Sequence, residues 1–274
     1  MTLEAGVQFQ EAYDAAQAQG RVLVGEDAPP GSVGAAGGWL LGGGYGPISP
    51  SYGLGTSVQY RLVSISDISP GVDNVIELNV VDSSGSYLTV NSHNHPDLFW
   101  ALRGGGGGTY GIVTSVTYRT HPLVPVTGVF LTAQSRNNDT FKKFLSEFVR
   151  IQPDLSDAGF SGHGVVTPGG FQLFYLALNV TQAEANQTVD PFFAFAQNLT
   201  SEGLNVSMAA TAPYTSIYEW LTPIYPAATL AGHNEEIASR LISRDIIEHN
   251  PQGIADAILL IEGTIGWQYV SNGS

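Results

Sequence analysis

The sequence predicts an α+β fold in which antiparallel β-hairpins alternate with separate helices. Apolar and polar residues alternate on both sides of a Ser-Gly turn in NVIELNVVDSSGSYLTVN, residues 74–91, which predicts a hairpin. GHGVVTPGGFQLFYLALNV, residues 162–180, predicts another. Helical spacing in DTFKKFLSEFVRIQ, residues 139–152, predicts a helix between them. With 274 residues, 43% of them hydrophobic, the chain suffices for one large domain or two modest ones.

The first part of the chain has both helical and strand signals. A helix over residues 7–19 is predicted because four apolar residues share one face: Phe9, Ala12, Tyr13 and Ala16. RVLVG, residues 21–25, predicts a short strand. The many glycines of residues 31–55 predict an irregular loop. HPDLFWALRG, residues 95–104, predicts a short helix, and YGIVTSVTYRTHP predicts a strand ending at Pro122.

The character of the chain changes near residue 125, where we place a domain boundary. TGVFLTAQ predicts a strand, and AEANQTVDPFFAFAQNL predicts a helix that Pro191 should kink or interrupt. A strand near LNVSMAAT, a helix near YTSIYEWL and a further element in EEIASRLISRDIIEHN, residues 235–250, follow.

Charge and composition exclude several classes of protein. The net charge of -14 argues against nucleic acid, because phosphate binding needs clustered Lys and Arg. We expect no membrane span, since the longest apolar candidate, GIADAILLIEGTIGW, is short and contains Asp256 and Glu262. Cysteine is absent, which excludes disulfides, thiolate metal sites and thiol catalysis.

Six N-x-[ST] sequons predict a secreted protein that carries N-linked glycans. Five of them fall between residues 138 and 207. The six asparagines are Asn138, Asn179, Asn186, Asn198, Asn205 and Asn272. Against this, residues 1–20 contain no basic start and apolar core of a signal peptide.

Two glycine-rich loops, residues 37–46 and 104–111, are the strongest functional signal. Five consecutive glycines lose much backbone entropy on folding, which indicates positive φ angles or a close approach to a ligand. Bare backbone N–H groups can hold an anionic ligand without Lys or Arg, so a nucleotide cofactor is predicted. Neither loop has the Walker pattern, and GGGGTYG leads into a strand, whereas a Rossmann fingerprint leads into a helix.

Three separated motifs carry a resemblance to a known family: VGAAGGWLLGGGYGPISPSYGLG, VDNVIELNVVDSSGSYLTVN and PDLFWALRGGGGGTYGIVTSVTYRTHP. In this order and spacing, they resemble the FAD-binding domain of berberine-bridge-enzyme-like flavin oxidoreductases, in the vanillyl-alcohol-oxidase superfamily. The resemblance implies that residues 1–125 are the second part of a PCMH-type FAD-binding domain. Residues 126–274 would then be part of a substrate domain with an antiparallel sheet and helices.

The same resemblance implies the cofactor contacts. Val33 matches a position beside the flavin ring where a small residue is associated with access for dioxygen, and Gly34, which follows it, is an implied FAD contact as well. Tyr45 would line the flavin pocket or simply pack beside Trp39. The remaining implied FAD contacts are Gly42, Gly43, Gly44, Gly105, Gly106, Gly111, Ile112 and Val113.

The sequence also departs from the family pattern. The segment with the flavin-attaching histidine is missing, and Ala28 stands where some members have a flavin-attaching cysteine. The C-terminal region that supplies the family's catalytic base is not matched, so no catalytic residue is named. Residues 56–71 form a polar insertion, which is interpreted as a retained intron or a surface loop.

Other candidate sites are weaker. His93 and His95 have the spacing of a metal pair, but no third ligand is evident, so exposed turn residues and no metal are predicted. His163 and His233 are isolated, and no paired carboxylates or G-x-S-x-G elbow occur.

Three functional hypotheses follow. The first is a FAD-dependent oxidase of a small alcohol or carbohydrate-like substrate, with dioxygen as acceptor. The second is an inactive family fragment that binds FAD weakly or not at all, and the third is a glycan-binding protein that kept the scaffold.

Overall fold

A computed structural model describes residues 1–26, 31–49, 51, 71–224, 242–261 and 265–267. These residues form two compact units, which divide between Val124 and Pro125. Residues 216–224 group with the first unit. Ala28, His233, Asn272 and all of the insertion except Gly71 lie outside the described residues.

The first unit contains an antiparallel sheet. Its elements up to residue 124 are β1 Thr2–Glu4, α1 Phe9–Gln17, β2 Arg21–Val22, α2 Gly38–Leu41, β3 Val75–Val81, β4 Tyr87–Asn91, α3 Pro96–Leu102, β5 Ile112–Tyr118 and β6 His121–Pro122. Four strands have the order β1-β5-β3-β4, and β2 pairs with β6. The predicted hairpin, α1 and α3 are confirmed, and the four residues predicted on the inner face of α1 are its buried ones.

Two local predictions for this unit were wrong. The glycine-rich segment is not wholly irregular, because it contains the one-turn helix α2, which buries Leu40 and Leu41. The strand predicted to reach Pro122 ends at Tyr118, and the chain then pairs with β2 as the separate strand β6.

The second unit begins with β7 Val126–Ser135, α4 Asn138–Arg150, α5 Gln152–Asp157, β8 Phe160–Thr167, β9 Gly170–Leu178, α6 Gln182–Asn198 and β10 Leu204–Tyr214. After α7 Ile217–Ile224 of the first unit, it continues with α8 Arg244–His249, α9 Pro251–Leu259 and β11 Ile265–Trp267. Its strands form one antiparallel sheet in the order β10-β7-β9-β8-β11. The second predicted hairpin and the predicted α4 are therefore confirmed.

An aromatic core joins the helices of the second unit to its sheet. Phe144 and Phe148 of α4 pack against Phe171 of β9 with ring centroids 5.0 and 4.6 Å apart. Phe192 of α6 lies 5.5 Å from Phe144. Pro191 was predicted to kink or interrupt α6; it does not interrupt the helix, which runs through it, and the kink stays a prediction. Burial of the adjacent Phe192 and Phe193 offsets the hydrogen bond that proline removes.

Within the described ranges, no helix is both long and apolar enough to cross a membrane.

His121 makes the stability of the first unit depend on pH. Its Nε2 lies 2.8 Å from Oδ1 of the buried Asn74, and burial, together with the charges of Arg119 and Arg21, lowers the pKa of His121 from 6.5 to about 4. The unfolded chain therefore binds a proton near pH 6.5, whereas the folded chain does so only near pH 4. Stability should fall as the pH falls through this window.

We expect His121→Gln to reduce the loss of stability between pH 7 and pH 5, because glutamine keeps a hydrogen-bond donor but does not titrate. Urea unfolding at both pH values measures this loss. His93→Gln, at an exposed position, is the control and should leave the loss of stability between pH 7 and pH 5 unchanged. If His121→Gln loses as much stability between pH 7 and pH 5 as the original chain, His121 is not the cause of the pH dependence.

Candidate functional site

The two glycine-rich loops predicted to bind a cofactor contact each other in the first unit. The N–H of Gly106 donates to the carbonyl oxygen of Leu41 at 2.8 Å. A Cβ on Gly104 would lie 3.8 Å from Cα of Gly43, so the two backbones are in close approach. The structure thus brings together residues that are more than 60 positions apart in the chain.

Positive φ angles explain several of these glycines. Residues with a side chain rarely adopt positive φ angles, so the backbone at these positions favours glycine. Within the two loops, they occur at Gly43 (110°), Gly44 (65°), Gly104 (110°), Gly106 (102°), Gly108 (72°) and Gly111 (148°).

The glycines fall into two groups according to what a Cβ would meet. At Gly44 it would lie 2.7 Å from the Trp39 ring, and at Gly105 it would lie 2.2 Å from the carbonyl oxygen of Ala101. These glycines allow the loops to pack against the protein itself. At Gly34, Gly43 and Gly106 a Cβ would meet no atom of the described residues within 4 Å. Among the parts of the chain that the structure describes, nothing fills the space beside these three backbones, which fits the approach of an extended ligand to bare peptide groups.

Val33 and Gly34 lie against the start of α1. The carbonyl oxygen of Val33 accepts the N–H of Phe9 at 3.0 Å, and Gly34 forms an isolated bridge with Gln8. Tyr45 is 64% exposed as a whole residue, and its carbonyl oxygen accepts the indole N–H of Trp39 at 3.0 Å. The backbone of Tyr45 therefore interacts with Trp39.

Gly111 directly precedes β5, which is an inner strand of the four-stranded sheet, and Ile112 and Val113 are the first two residues of that strand. Ile112 and Val113 of β5 pair with Val81 and Val80 of β3. The side chain of Val113 is buried, whereas that of Ile112 is 70% exposed. A Cβ on Gly111 would lie 2.7 Å from Cγ1 of Val80, so this glycine also serves close packing.

Tyr118 is a positioning residue that no sequence motif singles out. Its hydroxyl donates to the carbonyl oxygen of Ala35 at 2.5 Å, and its ring is fully buried. Burial raises the pKa of Tyr118, so the hydroxyl stays protonated and can donate. This bond ties the segment of Val33 and Gly34 to β5, which carries Ile112 and Val113. The alternating pattern of β5 predicts that Tyr118 faces inward but not which atom it reaches.

The candidate metal pair shows turn geometry. The side-chain oxygen of Asn91 accepts the backbone N–H groups of His93 and Asn94 at 2.9 and 2.8 Å. His95 lies at the start of α3 with a φ of 54°. Over the residues that the structure describes, no group of three or more His, Cys, Asp or Glu could hold a metal ion.

The fold defines the class of protein. No protein-family model matches the chain. A VAO-type flavoprotein from Myceliophthora thermophila C1 superposes with a TM-score of 0.79 at 27% identity, covering 96% of this chain and 45% of that one. Berberine bridge enzyme from Eschscholzia californica has a TM-score of 0.56 at 23% identity over 76% of this chain and 38% of its own, which shows the fold alone. The chain therefore has part of the VAO-type flavoprotein fold.

Sequence comparison narrows this class. The FAD-linked oxidoreductase patO of Aspergillus clavatus is 35% identical over 264 residues, which cover 95% of this chain and 42% of the relative. The predicted resemblance to FAD-linked oxidoreductases with the VAO-type fold is thus confirmed. The chain spans less than half the length of the relatives named above.

Proposed function

We propose that this chain forms part of a FAD-dependent oxidoreductase. The observations that carry the proposal are the contact between the two glycine loops and the space beside Gly34, Gly43 and Gly106, which no atom of the described residues occupies. The named relatives, FAD-linked oxidoreductases and VAO-type flavoproteins, support the choice of FAD as ligand.

The substrate assignment extends this proposal. We propose a small alcohol or a carbohydrate-like substrate, with dioxygen as the electron acceptor. FAD, when bound, supplies the acceptor for a hydride from substrate. The chain's own residues would hold the cofactor through backbone groups of Gly42 to Gly44, Gly105 and Gly106, and the small Val33 would leave room for dioxygen.

The two structural units suggest a division of labour. We propose that residues 1–125 contribute to the cofactor site and that residues 126–274 contribute to substrate binding. Passage through the secretory pathway and N-linked glycans belong to the same proposal, supported by the six sequons.

An absorbance spectrum of the purified chain, before and after addition of FAD, tests the cofactor proposal. We expect visible flavin bands that remain with the protein after gel filtration. Flavin that stays in an acid precipitate would show a covalent bond. A colourless chain that does not retain added FAD would instead support the alternative, a family fragment without the cofactor.

Gly34→Val should weaken FAD binding at least tenfold while leaving the unfolding midpoint of the FAD-free chain nearly unchanged. A Cβ at Gly34 meets no atom of the residues described by the structure within 4 Å, so its steric effect would fall on the ligand. Titration of flavin fluorescence measures the affinity. Ala15→Val, at an exposed position of α1, is the control. Equal FAD affinity in both variants would place the cofactor elsewhere.

A further inference from the structure

Sequon asparagines of the second unit differ in their surroundings. Asn138, Asn179, Asn198 and Asn205 are exposed, whereas Asn186 is half-buried. All five belong to the 91 residues from Pro125 to Thr215 of this unit. Exposure of the amide nitrogen is what a folded protein needs if that nitrogen carries a bulky, hydrated oligosaccharide.

Three of the exposed sequons converge at one end of the sheet. Asn138 is the first residue of α4, Asn198 is the last of α6, and Asn205 is the second of β10. Short contacts hold these ends together: Leu204 pairs with Ser135, and the hydroxyl of Thr140 donates to the carbonyl oxygen of Glu202 at 2.9 Å.

Asn179 lies at the opposite end of the same sheet. It follows β9, whose last residue, Leu178, pairs with the first residue of β7, Val126. The N–H of Asn179 donates to the carbonyl oxygen of Pro125 at 2.8 Å. A glycan on Asn179 would therefore leave the end with three sequons uncovered, which makes this residue an internal control.

Asn186 lies in the seam between α6 and β10. Its Oδ1 accepts the hydroxyl of Thr211 at 2.5 Å, and the Ala185 and Val189 side chains beside it on α6 are buried. A glycan on its amide nitrogen would have to leave this seam and would disturb that hydrogen bond. The structure thus separates this sequon from the four exposed ones.

The strand beside the three sequons, β10, has an uncharged edge over the described residues. β10 is an eleven-residue strand whose sequence, LNVSMAATAPY, contains no charged residue. Among the strands of the described ranges, only β7 pairs with it, and Met208 is 49% exposed. Uncharged edge strands are templates for pairing with another chain. Near its far end β10 contains Pro213, and Nε2 of Gln182 donates to the carbonyl oxygen of Thr211 at 2.8 Å, so the part that lacks such protection among the described residues is the end beside Asn205. The register shift between Val206 and Met208 interrupts the edge at one point.

We propose that Asn138, Asn198 and Asn205 carry N-linked glycans that cover this end of the second unit and shield the edge of β10. Asn179 is modified as well, without contributing to the shield, and Asn186 remains unmodified. The inference rests on the proposed passage through the secretory pathway and is independent of FAD binding.

The modification is a group transfer from a lipid-linked oligosaccharide diphosphate. The bond between the anomeric carbon and the diphosphate oxygen breaks, and a bond between that carbon and Nδ2 of asparagine forms. Nδ2 loses one proton, the lipid diphosphate leaves, and no oxidation or reduction occurs. The hydroxyl residue of each sequon, such as Thr140 or Ser207, is required for recognition.

Glycopeptide mapping tests the assignment of sites. The whole chain is secreted from a yeast host behind a cleavable leader, treated with peptide-N-glycosidase in ¹⁸O-water and digested. Each formerly glycosylated asparagine becomes a labelled aspartate. We expect the label at the four exposed sequons and not at Asn186. High occupancy of Asn186, or unmodified Asn138, Asn198 and Asn205 in the secreted chain, would overturn the proposal.

A second experiment tests the shield. We expect Asn205→Gln to raise the aggregated fraction in size-exclusion chromatography several-fold, whereas Asn179→Gln removes a glycan without this effect. Ser207→Ala removes the same glycan but keeps Asn205, so it should aggregate similarly. Adding Met208→Lys to Asn205→Gln should restore the monomer, because a lysine on the edge opposes strand pairing. Equal aggregation of the Asn205→Gln and Asn179→Gln variants would refute the shielding role.

Discussion

Phe144→Ala is expected to lower the free energy of unfolding of the second unit by about 3–5 kcal/mol, the usual cost of truncating a buried phenylalanine. The ring of Phe144 is fully buried and contacts the rings of Phe171 and Phe192 at centroid distances of 5.0 and 5.5 Å. Its loss leaves a cavity where α4, α6 and β9 meet. Because a whole domain is stable by only about 5–15 kcal/mol, this one change should bring the unit close to unfolding.

Urea unfolding followed by far-ultraviolet circular dichroism measures the effect. Phe174→Ala, the same substitution at a half-buried position of β9, should cost clearly less. If both variants lose the same stability, the aromatic cluster around Phe144 is not the centre of this core.

Gly105→Ala is expected to have the largest effect on the candidate cofactor site. A Cβ there would lie 2.2 Å from the carbonyl oxygen of Ala101, which is also the acceptor of the Gly105 N–H at 3.0 Å. The loop must therefore move away from α3, at a cost of about 1–3 kcal/mol. Since the neighbouring Gly106 holds the other glycine loop through Leu41, FAD affinity should fall by at least tenfold.

Gly107→Ala is the matched control in the same loop. Its Cβ would lie 3.6 Å from Cα of Gly38, an ordinary contact distance. Tryptophan fluorescence reports mainly on the first unit, which contains three of the four tryptophans, Trp39, Trp100 and Trp220, and a flavin titration reports the affinity. Loss of affinity in Gly107→Ala without loss of stability would mean that the ligand itself occupies the space beside this residue. If Gly105→Ala has the same stability and the same FAD affinity as the chain with the original sequence, the loop adapts to the extra methyl group without cost.

Local sequence patterns predicted most of the regular elements because their periodicity is a local property. The inner face of α1 and the hairpin of β3 and β4 were predicted from spacing alone. Exceptions occur where packing outweighs local preference. α2 forms within a glycine-rich segment because Leu40 and Leu41 become buried, and α6 continues through Pro191 for the same reason.

For the candidate site, the sequence predicted which residue types take part, but it did not predict how the two glycine loops are arranged in space. Runs of glycine predicted unusual backbone angles and a close approach, and positive φ angles occur at Gly43, Gly104 and Gly106. Their spacing contains no information about which loop lies beside which. The assignment of individual residues to FAD therefore stays a prediction that the glycine variants test.

By itself, the sequence determined the α+β class, the family resemblance and the two glycine loops, because composition, periodicity and motifs are properties of neighbouring residues. The tertiary structure decided at which glycines the space for a side chain is occupied by other protein atoms, and at which glycines no atom of the described residues occupies it. It also brought the hydroxyl of Tyr118 to Ala35 and three sequons to one end of a sheet. These are contacts between distant segments, and they arise only when burial of the shared core fixes how those segments pack.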